Sequence, residues 1–435
     1  MKPKPLFLLA LLVSLLMLAC GSLPFFTDET PEIESIATAE NTAEPASIPD
    51  MAPATSTTAT TSVIEASPSD TAQAATPTAI PESSSAVPDA GIMRVGPDDF
   101  PDYINPLTGL PVPNPALLDR RPIVAKIPNY PHSVRPQAGI SLADHIYEYY
   151  LEWGLTRFMA VFYGNDAERF GPIRSGRVFD AHIMRMYNGI FVFNYADDRT
   201  LDYFEEIELD QRYFALDQRC PPLCRDESIN SYNNLFGNTS AVHDFVQTRG
   251  VADDRRDLSG NFFSSLNNLE APIGAEVHIT YSYANYAYWR YHDGSGLYVR
   301  YQGNTDNVDG NSAQYEMHMD SLTGQPLTAS NVIILMVPHE FFHKSSDTEV
   351  FTMDLTGTGT AYVFRDNQAF EARWQRFAEN QPLAILDTNG RPFPLKPGTT
   401  FFQVINTTSE VGQYDSATWY FDFARPPDPE PEEEE

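Results

Sequence analysis

Apolar residues are distributed in three different ways along the chain. Leu6 to Ala19 is one apolar run interrupted only by Ser14, whereas residues 22–97 hold scattered apolar residues among Ser, Thr, Ala, Pro and Glu. From about residue 99, short apolar runs recur between turn residues, as in a folded body. In its first half, "PIVAKI" (122–127), "TRFMAVFYG" (156–164) and "IFVFNYA" (190–196) read as buried strands. "SLADHIYEYYLEWG" (141–154) sets Ala143, Ile146, Tyr147, Tyr150 and Leu151 at helical spacing, with Ser141 as N-cap and Gly154 as stop, and predicts a helix. "RVFDAHIMRMYNG" (177–189), "TLDYFEEI" and "AVHDFVQTRG" predict further helices. Strands separated by helices of this length predict an α/β sheet. From Ile273 onward, runs such as "GAEVHITYSY", "YAYWRYHD", "NVIILMVP" and "TFFQVIN" are short, aromatic and β-branched, with turns at Asp293-Gly294 and Asn389-Gly390. The expected fold class is α+β or α/β. An α/β domain (99–272) precedes a β-rich domain (273–425); a signal peptide (1–19) and a disordered stalk (20–98) stand before them, and an acidic disordered tail (426–435) follows.

Charge changes the functional picture. The 435 residues carry 28 Lys+Arg against 59 Asp+Glu, a net charge of −31. Such a surface repels a phosphate backbone, so no nucleic-acid partner is expected. Part of the excess lies outside the folded body: residues 21–97 hold eleven acids and one base, and the chain ends in "PPDPEPEEEE". Lys2 and Lys4 precede the apolar run, which ends in Leu18-Ala19-Cys20-Gly21. A charged start, a short apolar core and a cysteine after small residues resemble a bacterial lipobox, with Met17 where leucine is usual. Cleavage before Cys20 and lipid on Cys20 are expected, which puts the protein outside the cytoplasm, anchored to the bacterial membrane. An ordinary secretory signal and an uncleaved anchor are the alternatives. The stretch that follows lacks the apolar surface to offset ordering entropy, and as a flexible coil it reaches roughly 50 Å. Cys220 and Cys224, in "CPPLC", are a disulfide candidate in an oxidising compartment, with free thiols or a metal pair as alternatives.

Candidate chemistry concentrates in residues 132–177. Asp144, Glu148 and Glu152 recur every four residues, Arg135 and Arg157 flank them, and Arg174 and Arg177 lie in the Gly/Pro loop "GPIRSGR". Loops at strand ends of α/β sheets commonly bind ligands, and guanidinium groups suit phosphate or carboxylate. Arg135, Asp144, Glu148, Arg157, Arg174 and Arg177 are therefore the ligand-binding candidates. Structural Glu–Arg ion pairs are the competing reading. Ser175 lacks the glycine two places before it that a nucleophile elbow has. "HEFFH" (His339, Glu340, His343) fits the helical zinc-peptidase pattern, but it follows the strand-like "NVIILMVP" and fits a loop better. No catalytic residue is assigned, and no cofactor is expected.

The segments "RPQAG", "LADHIYEYYLEWGLTRF", "GPIRSGR", "TGQPLTASNVIIL" and "PLAILDTNGRPFPLKPGTTFFQVI" together resemble the YerB-like family of bacterial lipoproteins, built from domain of unknown function 3048. The resemblance covers most of residues 105–405. It implies an extracytoplasmic protein in two parts, α/β then β-rich, and supplies no activity. Arg135, Asp144, Glu148, Arg157, Arg174 and Arg177 are family-typical positions. Trp153 departs from the family, which more often has glycine there, and residues 216–235 do not match it. The expected function is a lipid-anchored envelope protein that binds an anionic envelope polymer, or a small ligand such as a phosphorylated sugar, where the arginines meet. The alternatives are an envelope hydrolase or transferase using Asp144 and Glu148, and, further off, a zinc peptidase through "HEFFH".

Overall fold

The structure is a computed structural model that describes residues 93–209, 213–214, 219–345 and 348–428. Cys20, the signal and the stalk up to residue 92 lie outside the described residues, as does the tail from 429. The described residues belong to one compact unit. Packing in it begins before the expected boundary at 99. Arg94–Val95 pairs antiparallel with Phe262–Ser264, so residues 93–98 belong to the body and not to the stalk.

A ten-stranded mixed sheet forms the centre. From one edge its strands are Ala384–Leu386, Gln368–Arg376, Gly357–Arg365, Asn331–Val337, Thr400–Asn406, His145–Glu152, Leu155–Phe162, Ile123–Pro128, Ile190–Val192 and Tyr213–Phe214. Five strands come from each side of residue 272. They join where Thr400–Asn406 runs parallel to His145–Glu152. The two halves of the sequence therefore share one sheet instead of folding around separate ones.

The segment read as a helix at 141–154 is the strand His145–Glu152, at the middle of that sheet. All but its last residue are buried. A strand covered on both faces shows no alternation, because every position is apolar or satisfied. Its chance 3.6-residue spacing then imitates a helix, while the content of "HIYEYY", one β-branched and three aromatic side chains in six, favours a strand. The other three expected helices form: α1 (Asp180–Tyr187), α2 (Asp198–Glu206) and α3 (Thr239–Thr248). With these three α-helices among the described residues, the fold is mostly β, with less helix than an α/β first half implies.

A second sheet runs Tyr315–Met317, Leu297–Gly303, Tyr286–His292, Glu276–Thr280, Thr418–Asp422 and Glu410–Gln413, with Thr328–Ala329 beside Leu297–Gly303. Its inner face packs on the central sheet through the fully buried Trp289, whose ring lies 4.8 Å from that of Phe401. Its outer face carries the cross-strand row Tyr420–His278–Tyr288–Tyr301. Tyr288 and Tyr301 stack face to face at 4.7 Å, so the rings of this pair are spent on each other.

Candidate functional site

The candidate residues divide between two places. Arg135 and Glu148 belong to a buried network between the two sheets. Glu148 Oε2 accepts from Arg300 Nη2 at 2.7 Å, and Oε1 accepts from Asn129 Nδ2 and from the Thr156 hydroxyl, both at 2.8 Å. Arg300 Nη1 donates to His318 Nδ1 at 2.9 Å, and His318 Nε2 bonds Gln137 Oε1 at 2.8 Å. Burial, then the Arg300 and Arg135 charges, pushes His318 well below the usual histidine range, so it is neutral and accepts from Arg300. Arg135 donates to the Asn129 carbonyl and side chain and to the Gly303 carbonyl. Glu148 and Arg300 are 2% and 1% exposed, and the pair is shut away from solvent.

Asp144 is equally enclosed. Its oxygens accept from Asn105 Nδ2 at 2.9 Å and from the Tyr163 and Gly164 N–H groups at 2.8 Å. Burial raises its carboxyl to about 6 against those three bonds. Asp144 and Glu148 fix loops and sheets, and their buried, occupied oxygens leave nothing to face a substrate. This corrects the expectation of acid–base chemistry from that pair.

Arg157, Arg174 and Arg177 do come together. "GPIRSGR" leaves the sheet at Gly171, held at φ 135° where glycine is favoured, and runs back along the Ile123–Pro128 strand. There Arg174 N donates to the Lys126 carbonyl at 3.0 Å and Gly176 N to the Tyr195 carbonyl at 2.9 Å. The loop ends at the start of α1, where Asp180 Oδ2 accepts from Arg177 N at 2.7 Å. The helix's own carboxylate thus occupies an N–H group at the helix start that could otherwise face an anion.

Arg177 makes a two-point ion pair with Glu152 on the central strand. Burial opposes the Glu152 charge, yet Arg177 outweighs it and holds the carboxyl below its usual range. Lys126 is fully buried, 2.7 Å from Asp180 and bonded to the Tyr149 hydroxyl. Burial, with the Arg157 and Arg177 charges added, outweighs the pull of Asp180 and pushes Lys126 down to about 7. Arg157 donates to the Ser175 carbonyl at 2.6 Å, its one hydrogen bond among the described residues. Burial, then Arg177, brings it down to about 9. Arg174 lies 4.6 Å over the Tyr232 ring, and its buried Nε has no acceptor. Four cationic side chains here face two carboxylates, Asp180 and Glu152.

A cavity of about 330 Å³ opens beside this cluster, lined by Glu152, Ser175 and Arg177, by Trp153 and Tyr195, and by Asp197, Thr200 and Glu349. Glu349 is paired with Lys344 and Arg425, and Asp197 with Arg199. Thr200 is fully buried, and its hydroxyl has no hydrogen-bond partner. A larger cavity, about 780 Å³, lies between Phe236, the start of α3 and the loop of the Cys220–Cys224 disulfide. Its Arg169 is already bonded to Asp226 at 2.6 Å and stacked on Phe236.

"HEFFH" is neither helix nor loop. His339–Lys344 is a strand paired with Glu349–Met353, with an irregularity between Phe341 and His343. His339 is buried and bonded to the Val337 carbonyl at 2.8 Å, while Glu340 is exposed. Among the described residues no group of three or more His, Cys, Asp or Glu is placed to hold a metal ion.

Sequence reasoning missed Lys126, Asp180, Trp153, Tyr195 and Thr200 at the open cluster, and Asn129, Arg300 and His318 in the closed one. Two signals were present. A lysine inside the apolar run "PIVAKI" must find a buried partner, and Trp153-Gly154 sits where a tight turn joins two strands.

Residues 107–252 match the model described as "Protein of unknown function (DUF3048) N-terminal domain", and residues 277–402 match its C-terminal counterpart. The Bacillus subtilis (strain 168) protein named "Putative lipoprotein YerB" is 23% identical over 321 residues, which cover 71% of this chain and 88% of that protein. The crystal structure of the B. subtilis YerB protein has the same fold, with a TM-score of 0.57 at 22% identity over 69% of this chain and 96% of the other. With two domain models spanning more than half of its length, the chain belongs to the DUF3048 family of proteins of unknown function.

Proposed function

We propose that this is a lipid-anchored envelope protein that binds an anionic ligand at the Arg157–Arg174–Arg177 cluster. The observation that carries the reading is the shortage of acceptors there. Arg157 keeps one protein hydrogen bond, Arg174 Nε has none, and the cluster holds more buried cations than carboxylates. Buried polar groups are ordinarily satisfied, and an unsatisfied guanidinium next in sequence to Ser175, which lines the cavity with Arg177, suits a phosphate or carboxylate guest. Binding fits better than catalysis. Of the three carboxylates at the cavity, Asp197 is paired with Arg199, and Glu152 and Glu349 are paired with cations and held below their usual range, so these two are not ready proton donors.

Anchoring rests on the charged start, the apolar run and Cys20. Fatty-acid labelling of the intact chain in a bacterial host tests it: label on the wild type and none on Cys20→Ala supports the anchor, and equal labelling refutes it. The ligand site is tested by titrating the full chain with inorganic phosphate in a calorimeter. Arg174→Gln should weaken binding about tenfold, the value of one charge-assisted bond. Lys396→Gln, remote from the cluster, should leave it unchanged. Equal binding by wild type and Arg174→Gln would place the ligand elsewhere.

A further inference from the structure

Among the described residues six non-glycines have left-handed backbone: Trp153, Asn188, Tyr195, Glu208, Asp366 and Asn367. Three are Asn or Asp, which tolerate that region, but a bulky aromatic side chain is disfavoured there because its Cβ crowds the following carbonyl. Trp153 (φ 52°) and Gly154 (φ 80°) form a two-residue hairpin turn of the kind that ordinarily takes Asn-Gly. Tyr195 (φ 64°) caps the segment whose carbonyl holds Gly176. These turns belong to separate parts of the sheet, yet both rings line the 330 Å³ cavity, 52% and 49% exposed. Strain of this kind gathers at ligand sites, where position matters more than ease.

The rest of the lining is polar. The Glu152–Arg177 pair offers acceptors and donors side by side, and the buried Thr200 hydroxyl, unpartnered, lines the same cavity. Lys344 Nζ stands 5.4 Å from the Trp153 ring. Aromatic faces beside paired charged groups match a guest with an apolar ring face and a rim of hydroxyls. We infer that the ligand is a phosphate- or carboxylate-bearing saccharide, its sugar ring held between Trp153 and Tyr195 and its anionic group directed past Ser175 and Arg177, which line the cavity, to Arg157 and Arg174 behind them. This rests on the anion-binding reading above and adds the ligand class.

The test uses the full chain and three probes: inorganic phosphate, glucose 6-phosphate and glucose. Trp153→Gly and Tyr195→Asn are the variants, because both replacements accept a left-handed backbone and should fold. Fluorescence change is taken as wild type minus Trp153→Gly, which removes the signal of Trp289, Trp374 and the partly exposed Trp419. The expected result is glucose 6-phosphate binding at least tenfold tighter than phosphate, with a change in Trp153 emission. Each variant should lose that advantage and still bind phosphate as the wild type does. Equal binding of phosphate and glucose 6-phosphate, with silent Trp153, would overturn the saccharide inference and leave the anion reading standing. Glucose binding with a Trp153 response but no phosphate binding would overturn the anion reading and keep the sugar wall. No binding of any probe would overturn both.

Discussion

Glu148 and Glu152 lie four residues apart on one strand, and each meets an arginine, but their surroundings differ. Around Glu148 the charges are shut away from solvent: both oxygens are occupied, Arg300 is paired through both Nη atoms and keeps only its buried Nε unpartnered, and His318 is neutral to suit it. Around Glu152 they are less balanced: Arg177 is matched and lines a cavity, while Arg157 and Arg174, behind that lining, have donors without protein acceptors. Clustered charge by itself therefore does not mark a site. Each cluster leaves one buried arginine Nε without an acceptor, Arg300 in the first and Arg174 in the second; what marks the second as a candidate site is the excess of cations and the cavity that opens against Glu152 and Arg177.

The largest test of that contrast is to break the closed network. Glu148→Ala leaves Arg300 charged and buried without its partner, which costs about 3–5 kcal/mol. The urea midpoint of the variant should fall accordingly. Glu148→Leu combined with Arg300→Met should recover most of the loss, since a buried pair is worth little more than apolar side chains of like volume. A single variant as stable as the wild type would mean that the network is not closed.

The open cluster predicts a pH effect of the next size. Lys126 titrates near 7 in the folded chain against 10.5 for an ordinary lysine. Between those values the unfolded chain holds a proton that the folded chain has released. Stability should therefore rise with pH from 7 towards 10, by up to about 1.4 kcal/mol per unit, and the penalty is constant below 7. The difference in urea midpoint between wild type and Lys126→Met, followed from pH 7 to 9, isolates this slope. A difference that does not change with pH would show Lys126 to be an ordinary buried ion-pair partner.

Smaller effects separate stability from binding. Arg174→Gln should change stability by about 1 kcal/mol or less, because its Nε has no protein acceptor to lose. Trp153→Gly should stabilise the chain by about 0.5–1 kcal/mol, by relieving a left-handed tryptophan. Thermal melts of the two variants check both values. A marked loss in the second would assign Trp153 a packing role instead.

Several of the longer strands, such as Leu155–Phe162, Asn331–Val337 and Thr400–Asn406, and three helices were legible from apolar runs, caps and turn pairs. The central strand was not, because burial on both faces erased its alternation and left "HIYEYYLE" readable with either period. The merging of the two halves was also hidden, since nothing local in "TFFQVIN" shows that it pairs with residues 145–149. At the site, sequence proximity drew Arg135 and Glu148 into the same cluster as Arg157, Arg174 and Arg177. Their true neighbours, Arg300 and His318, lie more than 150 residues away from them. Such partners are set by sheet pairing, which a single sequence does not display.

The most direct measurement is a crystal structure of the full chain grown with a saturating sugar phosphate. The account predicts the anionic group within hydrogen-bond reach of Arg157 and Arg174, with the sugar between Trp153 and Tyr195. A cavity holding only water, with Arg157 and Arg174 turned onto protein acceptors, would contradict it.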